Sequence, residues 1–403
     1  MNILFHDRDT RRVINKLINF FGTENIECFV DHYKKSLACS GFLSSEYYFK
    51  KRHPWGEALT IFLERERLAR SQTIDIPLSI RRLTRDAVLI AELQRAMPSK
   101  IKEKFRIDLL DHENASAYLF ELHIGWHFHK SGYEIIWYTE DNQPEFCVKT
   151  PTFSFDVECK RISFDASRKI RRKDFYRFAE LLLPRIKQLN LQGTVEIVLE
   201  GRLHGSDENI NGICTEVLDS IKSDNLQGDF KFSQGAYFLN LNAKNKTQVD
   251  IYAELNEIHE KHENTAHATG LADNYLDSPV DPLFLILRSQ KKNPILEGIK
   301  KKIQDAAKRQ LKPDRPGLIA CFLETIRSRD ISKLADDSGL QIMSNEVFMK
   351  DQNKHLIALA FCGEEGYVPG EVTEKVESPV VSFNNPNCIL EEGKNFCFFP
   401  LNR

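Results

Sequence analysis

With 403 residues, 41% of them hydrophobic and 28% charged, the chain is long enough for two or three domains and is neither repeat-built nor of low complexity. Its 56 Lys and Arg against 58 Asp and Glu leave a net charge of -2, which argues against strong sequence-independent coating of nucleic acid. No stretch reaches the roughly 18 apolar residues of a membrane span, and "MNILFHDRDTRR" has no apolar run behind its charges. The nine cysteines show no CxxC pairing and fit reduced thiols better than a disulfide framework, so a cytoplasmic location is expected.

Residues 1–108 read as a helical N-terminal domain. "RRVINKLINFF", "GEALTIFLERERLARS" and "SIRRLTRDAVLIAELQRAM" space their apolar positions by three and four, with "KRHPW" and "TIDIP" as breaks. Arginines at 65, 67, 70, 81, 82 and 85 suit either phosphate or solvent, and target recognition and a protein partner are both open for this part.

The next helix, from about Asp111 to Lys130, places Glu121 on one face with Ala117, Phe120, Ile124, Gly125 and Phe128. A carboxylate embedded in an apolar stripe needs a cation, a hydrogen-bond donor or a proton. Strands are expected over 133–139, 144–149 and 153–162. In the last, Phe153, Phe155, Val157 and Cys159 alternate with Ser154, Asp156, Glu158 and Lys160, so Glu158 and Lys160 point the same way. A turn at Thr150-Pro151-Thr152 allows an antiparallel pairing that brings Glu145 beside Glu158. Two carboxylates about 4 Å apart repel by about 4 kcal/mol at an effective dielectric near 20, so three converging there require compensation, which Mg²⁺ or Mn²⁺ provides.

These elements resemble the PD-(D/E)xK, or restriction-endonuclease-like, nuclease superfamily. "FELHIGWHFHKSGY" matches the helix with its glutamate, "PEF" at 144–146 stands for the Pro-Asp, and "DVECKR" at 156–161 stands for the acidic-x-Lys strand. The expected fold is α/β, with a restriction-endonuclease-like αβββαβ core of mixed sheet completed by a helix near 171–190 and a strand at 193–200. The resemblance implies that Glu145 and Glu158 hold the metal, with the Cys159 backbone carbonyl as a further ligand. It further implies that Lys160 orients or deprotonates the attacking water and that Glu121 supports a second metal or a bound water. Position 145 is Glu where the family usually has Asp, so Asp156 and Asp141 remain alternatives for the second ligand. Acidic-x-Lys triplets also occur at Asp229 and Glu392, and only the one at Glu158 comes with the surrounding pattern.

Downstream, Arg161, Arg168, Arg171, Arg172 and Lys173 belong to a basic stretch suited to phosphate contacts or to a solvated helix start. A second helix and strand, "LEGIKKKIQDAAKRQLKPDRPGLIACFLE" at 296–324, competes for the closing position. If it closes the core, 201–293 is an insertion and Gln310 lies near the site. The segments are therefore 1–108, 109–200 as the first part of the core, 201–293 as an insertion or second lobe with a polar helix near 249–263, and 294–403 as completion and β-rich elaboration.

No GxxxxGK[ST] loop, Rossmann glycine fingerprint or GxSxG elbow is present. The histidines of "HEKHENTAH" lack HExxH spacing, and zinc on His123, His127 and His129 is disfavoured, although His123 or His127 could contact phosphate. The expected activity is Mg²⁺-dependent phosphodiester hydrolysis, on DNA rather than RNA, with a homodimer open. The rival is an inactive nucleic-acid-binding or regulatory protein on the same fold.

Overall fold

The computed structural model describes residues 7–45, 53–68, 78–140, 142–191, 193–223, 226–241, 266–271, 283–327, 331, 338–364, 366–368, 375–377, 380–391 and 396. Asp141, Arg70, His259, His262, the expected helix near 249–263 and all of "NFCFFPL" but Phe396 lie outside the described residues, as do the side chains of Arg65, Arg67 and His267.

Among the described residues, six helices of ten or more residues lead the chain: α1 Asp7–Phe21, α2 Thr23–Ala38, α3 Gly56–Leu68, α4 Leu78–Leu93, α5 Ser99–Asp108 and α6 Ala115–Lys130. Strands β1 Glu134–Trp137, β2 Phe146–Lys149 and β3 Ser154–Ser163 follow. Next come α7 Arg172–Lys187, β4 Gly193–Leu199, α8 Asp207–Lys222, β5 Gln227–Phe232, β6 Gly235–Leu241, β7 Ala266–Leu271 and β8 Leu283–Ser289. The chain closes with α9 Ile295–Arg309, β9 Gly317–Arg327, α10 Gly339–Phe348, β10 Leu356–Glu364, the short pair β11 Gly366–Val368 and β12 Lys375–Glu377, and β13 Val380–Asn384. The protein is mixed α/β, and among the described residues no helix is long and apolar enough to cross a membrane.

Two compact units emerge. The first comprises Met1–Lys35, Arg52–Phe164 and Leu296–Arg403, and the second Ser36–Lys51 and Asp165–Ile295. In the first, a six-stranded sheet runs in the order β1-β2-β3-β9-β10-β13. β1, β2 and β3 are antiparallel neighbours, β9 lies parallel to both β3 and β10, and β13 closes the sheet antiparallel. The N-terminal helices close no core of their own. Ile14, Leu17 and Phe21 of α1 and Leu83, Ala87 and Ile90 of α4, at helical spacing, join one hydrophobic core with Phe128, Phe146, Phe155, Val157 and Ala320.

The second unit holds a five-stranded sheet, β5-β6-β4-β8-β7, in which only β4 and β8 pair in parallel. Its core joins Phe175, Phe178 and Leu182 of α7 and Ile213 and Val217 of α8 to Val195, Ile197 and Leu239. The helix near 171–190 and the strand at 193–200, expected to complete the first sheet, thus belong to this second sheet. The parallel neighbour of β3 is β9, with Asp156 opposite Gly317 and Lys160 opposite Cys321. The physical reason lies in burial. Leu318, Ile319, Ala320, Cys321 and Leu323 are all fully buried, as a central parallel strand covered on both faces must be, whereas Thr194 and Glu196 of β4 are half-exposed.

Candidate functional site

Asp111 prepares the start of α6 by accepting hydrogen bonds from the amides of Glu113 (2.8 Å) and Asn114 (2.7 Å). The helix ends at Gly132, whose φ of 84° admits the left-handed turn in which the Tyr133 amide reaches back to the Phe128 carbonyl at 3.2 Å. Between these stops the helix lies against β1, β3 and β9. Gly125 permits the close approach, since a Cβ there would stand 3.2 Å from the Trp137 ring. Glu121 is carried inward with its apolar neighbours and is only 7% exposed.

The β2–β3 hairpin turns on Thr150, whose hydroxyl donates to the Phe153 carbonyl at 2.8 Å and accepts from the Phe153 amide at 3.0 Å. The pairing runs from Lys149 opposite Ser154 to Phe146 opposite Val157. The expected strand at 144–149 begins two residues late, because Pro144 has no amide to give to a ladder. Glu145 still donates its amide to the Val157 carbonyl at 3.0 Å, which holds it at the end of the hairpin, one residue before Phe146 pairs with the same Val157. Beyond that bond β3 continues with β9 on one side and no β2 partner on the other. Carbonyls two residues apart on a strand face the same way, so the Cys159 carbonyl, like that of Val157, is turned toward this open edge.

Glu121, Glu145, Glu158 and Lys160 come together at that edge. Burial first, and then Glu145, pushes the Glu121 carboxyl well above its ordinary range, with Lys104 and Lys160 opposing. Burial raises Glu145 as well, against Lys104 and Lys160. Glu158 is fully buried, and burial followed by the Glu145 charge pushes it up to about 8 despite Lys160. The Lys160 ammonium is ion-paired to Glu158 Oε1. Burial alone would lower the Lys160 pKa, but Glu158 outweighs it and the net shift is upward. Glu158 Oε2 is shut off from solvent with no hydrogen-bond partner. Cys159 is buried, and burial followed by the surrounding carboxylates drives its thiol well up, leaving its carbonyl as the group suited to a cation.

The donor set suits a hard divalent cation: three carboxylates, an outward-turned carbonyl and one orphaned carboxylate oxygen, all oxygen. Among the described residues no finished group of three acidic, histidine or cysteine ligands is assembled. The orphaned Glu158 oxygen, among carboxyls that burial pushes upward, is the sign of an uncompensated negative centre.

The remaining expected site residues fall elsewhere. Asp156 is buried and committed: it accepts from the Tyr138 hydroxyl at 2.7 Å and pairs with Arg315 at 3.3 Å, while Arg315 also donates to the Tyr138 oxygen at 2.9 Å. Arg161 bonds Glu324 at 2.6 Å and the Glu113 carbonyl. Arg168, Arg171, Arg172 and Lys173 belong to the second unit, where the Arg172 amide bonds Asp165 at 2.6 Å. His123 is engaged by Asp86 at 3.0 Å. Gln310 follows the last turn of α9 beside Leu311, whose side chain lies 2.9 Å from where a Gly317 Cβ would stand. Gly317 pairs with Asp156, so Gln310 sits at the Asp156 end of β3.

Sequence reasoning overlooked Lys104, on α5, which acts on all three carboxylates. It also overlooked Gln304, on α9, whose Nε2 is buried without a partner. The available signal was its place beside Ile303 on the buried face of α9. No protein-family model matches this chain, and neither does any curated protein.

Proposed function

We propose that this protein is a metal-dependent nuclease of the restriction-endonuclease-like type, hydrolysing phosphodiester bonds at the Glu121–Glu145–Glu158–Lys160 cluster. The observation that carries the reading is the meeting of the buried Glu121 and Glu158, the half-buried Glu145 and a lysine at the open edge of β3, with Glu158 Oε2 left without a partner. The topology supports it. The helix α6, strands β1, β2 and β3, then α9 and β9 parallel to β3 follow the αβββαβ order of that superfamily, with the second unit inserted between β3 and α9.

Glu145, Glu158 and the Cys159 carbonyl would hold Mg²⁺ or Mn²⁺, with Glu121 behind them. The metal supplies Lewis-acid stabilisation of phosphoryl charge and lowers the pKa of bound water. Lys160, held as an ammonium by Glu158, orients the water and balances the phosphate charge rather than acting as the base. In the net reaction the water oxygen bonds to phosphorus, the bond from phosphorus to the leaving sugar oxygen breaks, and one water is added across it. DNA is the expected substrate, ahead of RNA.

A second reading, a nucleic-acid-binding protein without catalysis, draws on the Glu158–Lys160 ion pair, which already satisfies one of the two Glu158 oxygens. Cleavage of plasmid, linear duplex, single-stranded DNA and RNA, with Mg²⁺, Mn²⁺ or chelator, decides between them. Metal-dependent cleavage lost in Lys160→Ala supports the nuclease. Wild-type protein that binds nucleic acid, cuts nothing and has no saturable divalent site supports the binder.

A further inference from the structure

We propose that Lys104, seated on the ring of Tyr118, is a substrate-binding residue that contacts a nucleic-acid phosphate at the mouth of the carboxylate cluster. The assignment rests on the nuclease reading for its substrate class. Its own footing is geometric. Helix α5 buries Ile101 and Phe105 and leaves Lys104, between them on the helix, exposed. Its ammonium lies 5.3 Å from the centre of the Tyr118 ring. Tyr118 is one helical turn before Glu121 on α6, so the two share a face. The same ammonium opposes the upward pKa shifts of Glu121, Glu145 and Glu158, as it does that of Asp108 on its own helix. Its described contact is the aromatic ring and not a carboxylate.

An acidic site that must accept a polyanion repels it, and a cation at the entrance answers that repulsion. Lys160, ion-paired to Glu158, balances charge at the scissile phosphate within the cluster and leaves the flanking phosphates to another cation. Lys104 is exposed, and the ring face holds it near the opening without neutralising it. Tyr118 is itself half-buried, so the platform is held in place.

The test is a fluorescence-anisotropy titration of labelled duplex and single-stranded oligonucleotides over a range of salt, once with chelator and once with Ca²⁺. Wild type is compared with Lys104→Ala, Lys104→Arg and, as a neighbouring lysine outside the cluster, Lys102→Ala. Loss of one phosphate contact lowers the slope of log K against log salt by about 0.9 on duplex and about 0.7 on single strands. The expected result is that loss in Lys104→Ala, with Lys104→Arg and Lys102→Ala near wild type and thermal midpoints alike. A purely structural lysine would shift the midpoint and leave the slope. An unchanged slope in Lys104→Ala, or wild type that binds no nucleic acid in either condition, overturns the proposal. Wild type that binds with a Lys104-dependent slope and cuts nothing overturns the hydrolytic reading alone.

Discussion

Lys160 is ion-paired to one carboxylate oxygen of Glu158, and the other oxygen of the same group is buried with no partner. A half-satisfied buried carboxylate costs stability unless a proton or a cation completes it. With its folded pKa raised from 4.5 to about 8, Glu158 binds more protons folded than unfolded across that window. Its contribution therefore falls as pH rises from about 4.5 to about 8.

The first prediction follows from that sign. In chelator, Glu158→Gln should be more stable than wild type at pH 8, by on the order of a few kcal/mol, and the gap should close toward pH 5. Urea melts at the two pH values measure it. A variant equally or less stable than wild type at pH 8 would contradict the burial of an uncompensated charge.

The same group is expected to hold metal. A Mn²⁺ titration should lose its saturable site in Glu158→Gln and weaken about tenfold or more in Glu145→Gln, while Lys160→Ala retains binding and loses cleavage by at least about a hundredfold. Retained Mn²⁺ affinity in Glu158→Gln would remove this cluster as the metal centre.

Asp156 offers the contrast. Its carboxylate is occupied by Tyr138 and Arg315, so Asp156→Asn should leave Mn²⁺ affinity near wild type and lower stability. Tyr138→Phe removes one hydrogen bond to a charged group and should cost about 1.5–3 kcal/mol. In the double variant the two losses should fall short of additive, as they do for partners in one network. A Mn²⁺ site that vanishes in Asp156→Asn would reinstate it as the second ligand in place of Glu145.

Much of this cluster was legible because its signals are local. The period-two alternation from Phe153 to Cys159 places Glu158 and Lys160 on one side of a strand, and helical spacing puts Glu121 among apolar neighbours. Thr150 and Pro151 mark the turn that brings Glu145 back to the Val157 carbonyl, next to Glu158 in the chain. The strand beside β3 was not legible in the same way. Two amphipathic helices, each followed by an apolar strand, competed for that position, and the choice depends on pairing Asp156 with Gly317 across an inserted unit. A continuous buried run such as Leu318 to Cys321 is the local trace of a central strand, but it does not name its neighbours. Lys104 left no trace, because an exposed lysine on an amphipathic helix reads as solvated until the neighbouring helix brings Tyr118 under it.

His53 gives a pH dependence of opposite sign from Glu158. It is buried in the helical part of the first unit, with its Nε2 3.0 Å from the Leu109 carbonyl, its Nδ1 accepting from the Trp55 amide at 3.1 Å, and its ring against Phe29 and His112. The accepting Nδ1 leaves the single proton on Nε2 and the ring neutral. Burial, despite the Leu109 carbonyl, lowers its pKa from 6.5 to about 3. The unfolded chain therefore binds the extra proton first as pH falls, and stability drops from about 6.5 down to about 3. That difference corresponds to roughly 5 kcal/mol at full development. Wild type should accordingly lose more stability than His53→Gln between pH 7 and pH 4, as read by thermal or urea melts at each pH. Parallel pH profiles for the two proteins would mean that His53 takes up its proton in the folded state.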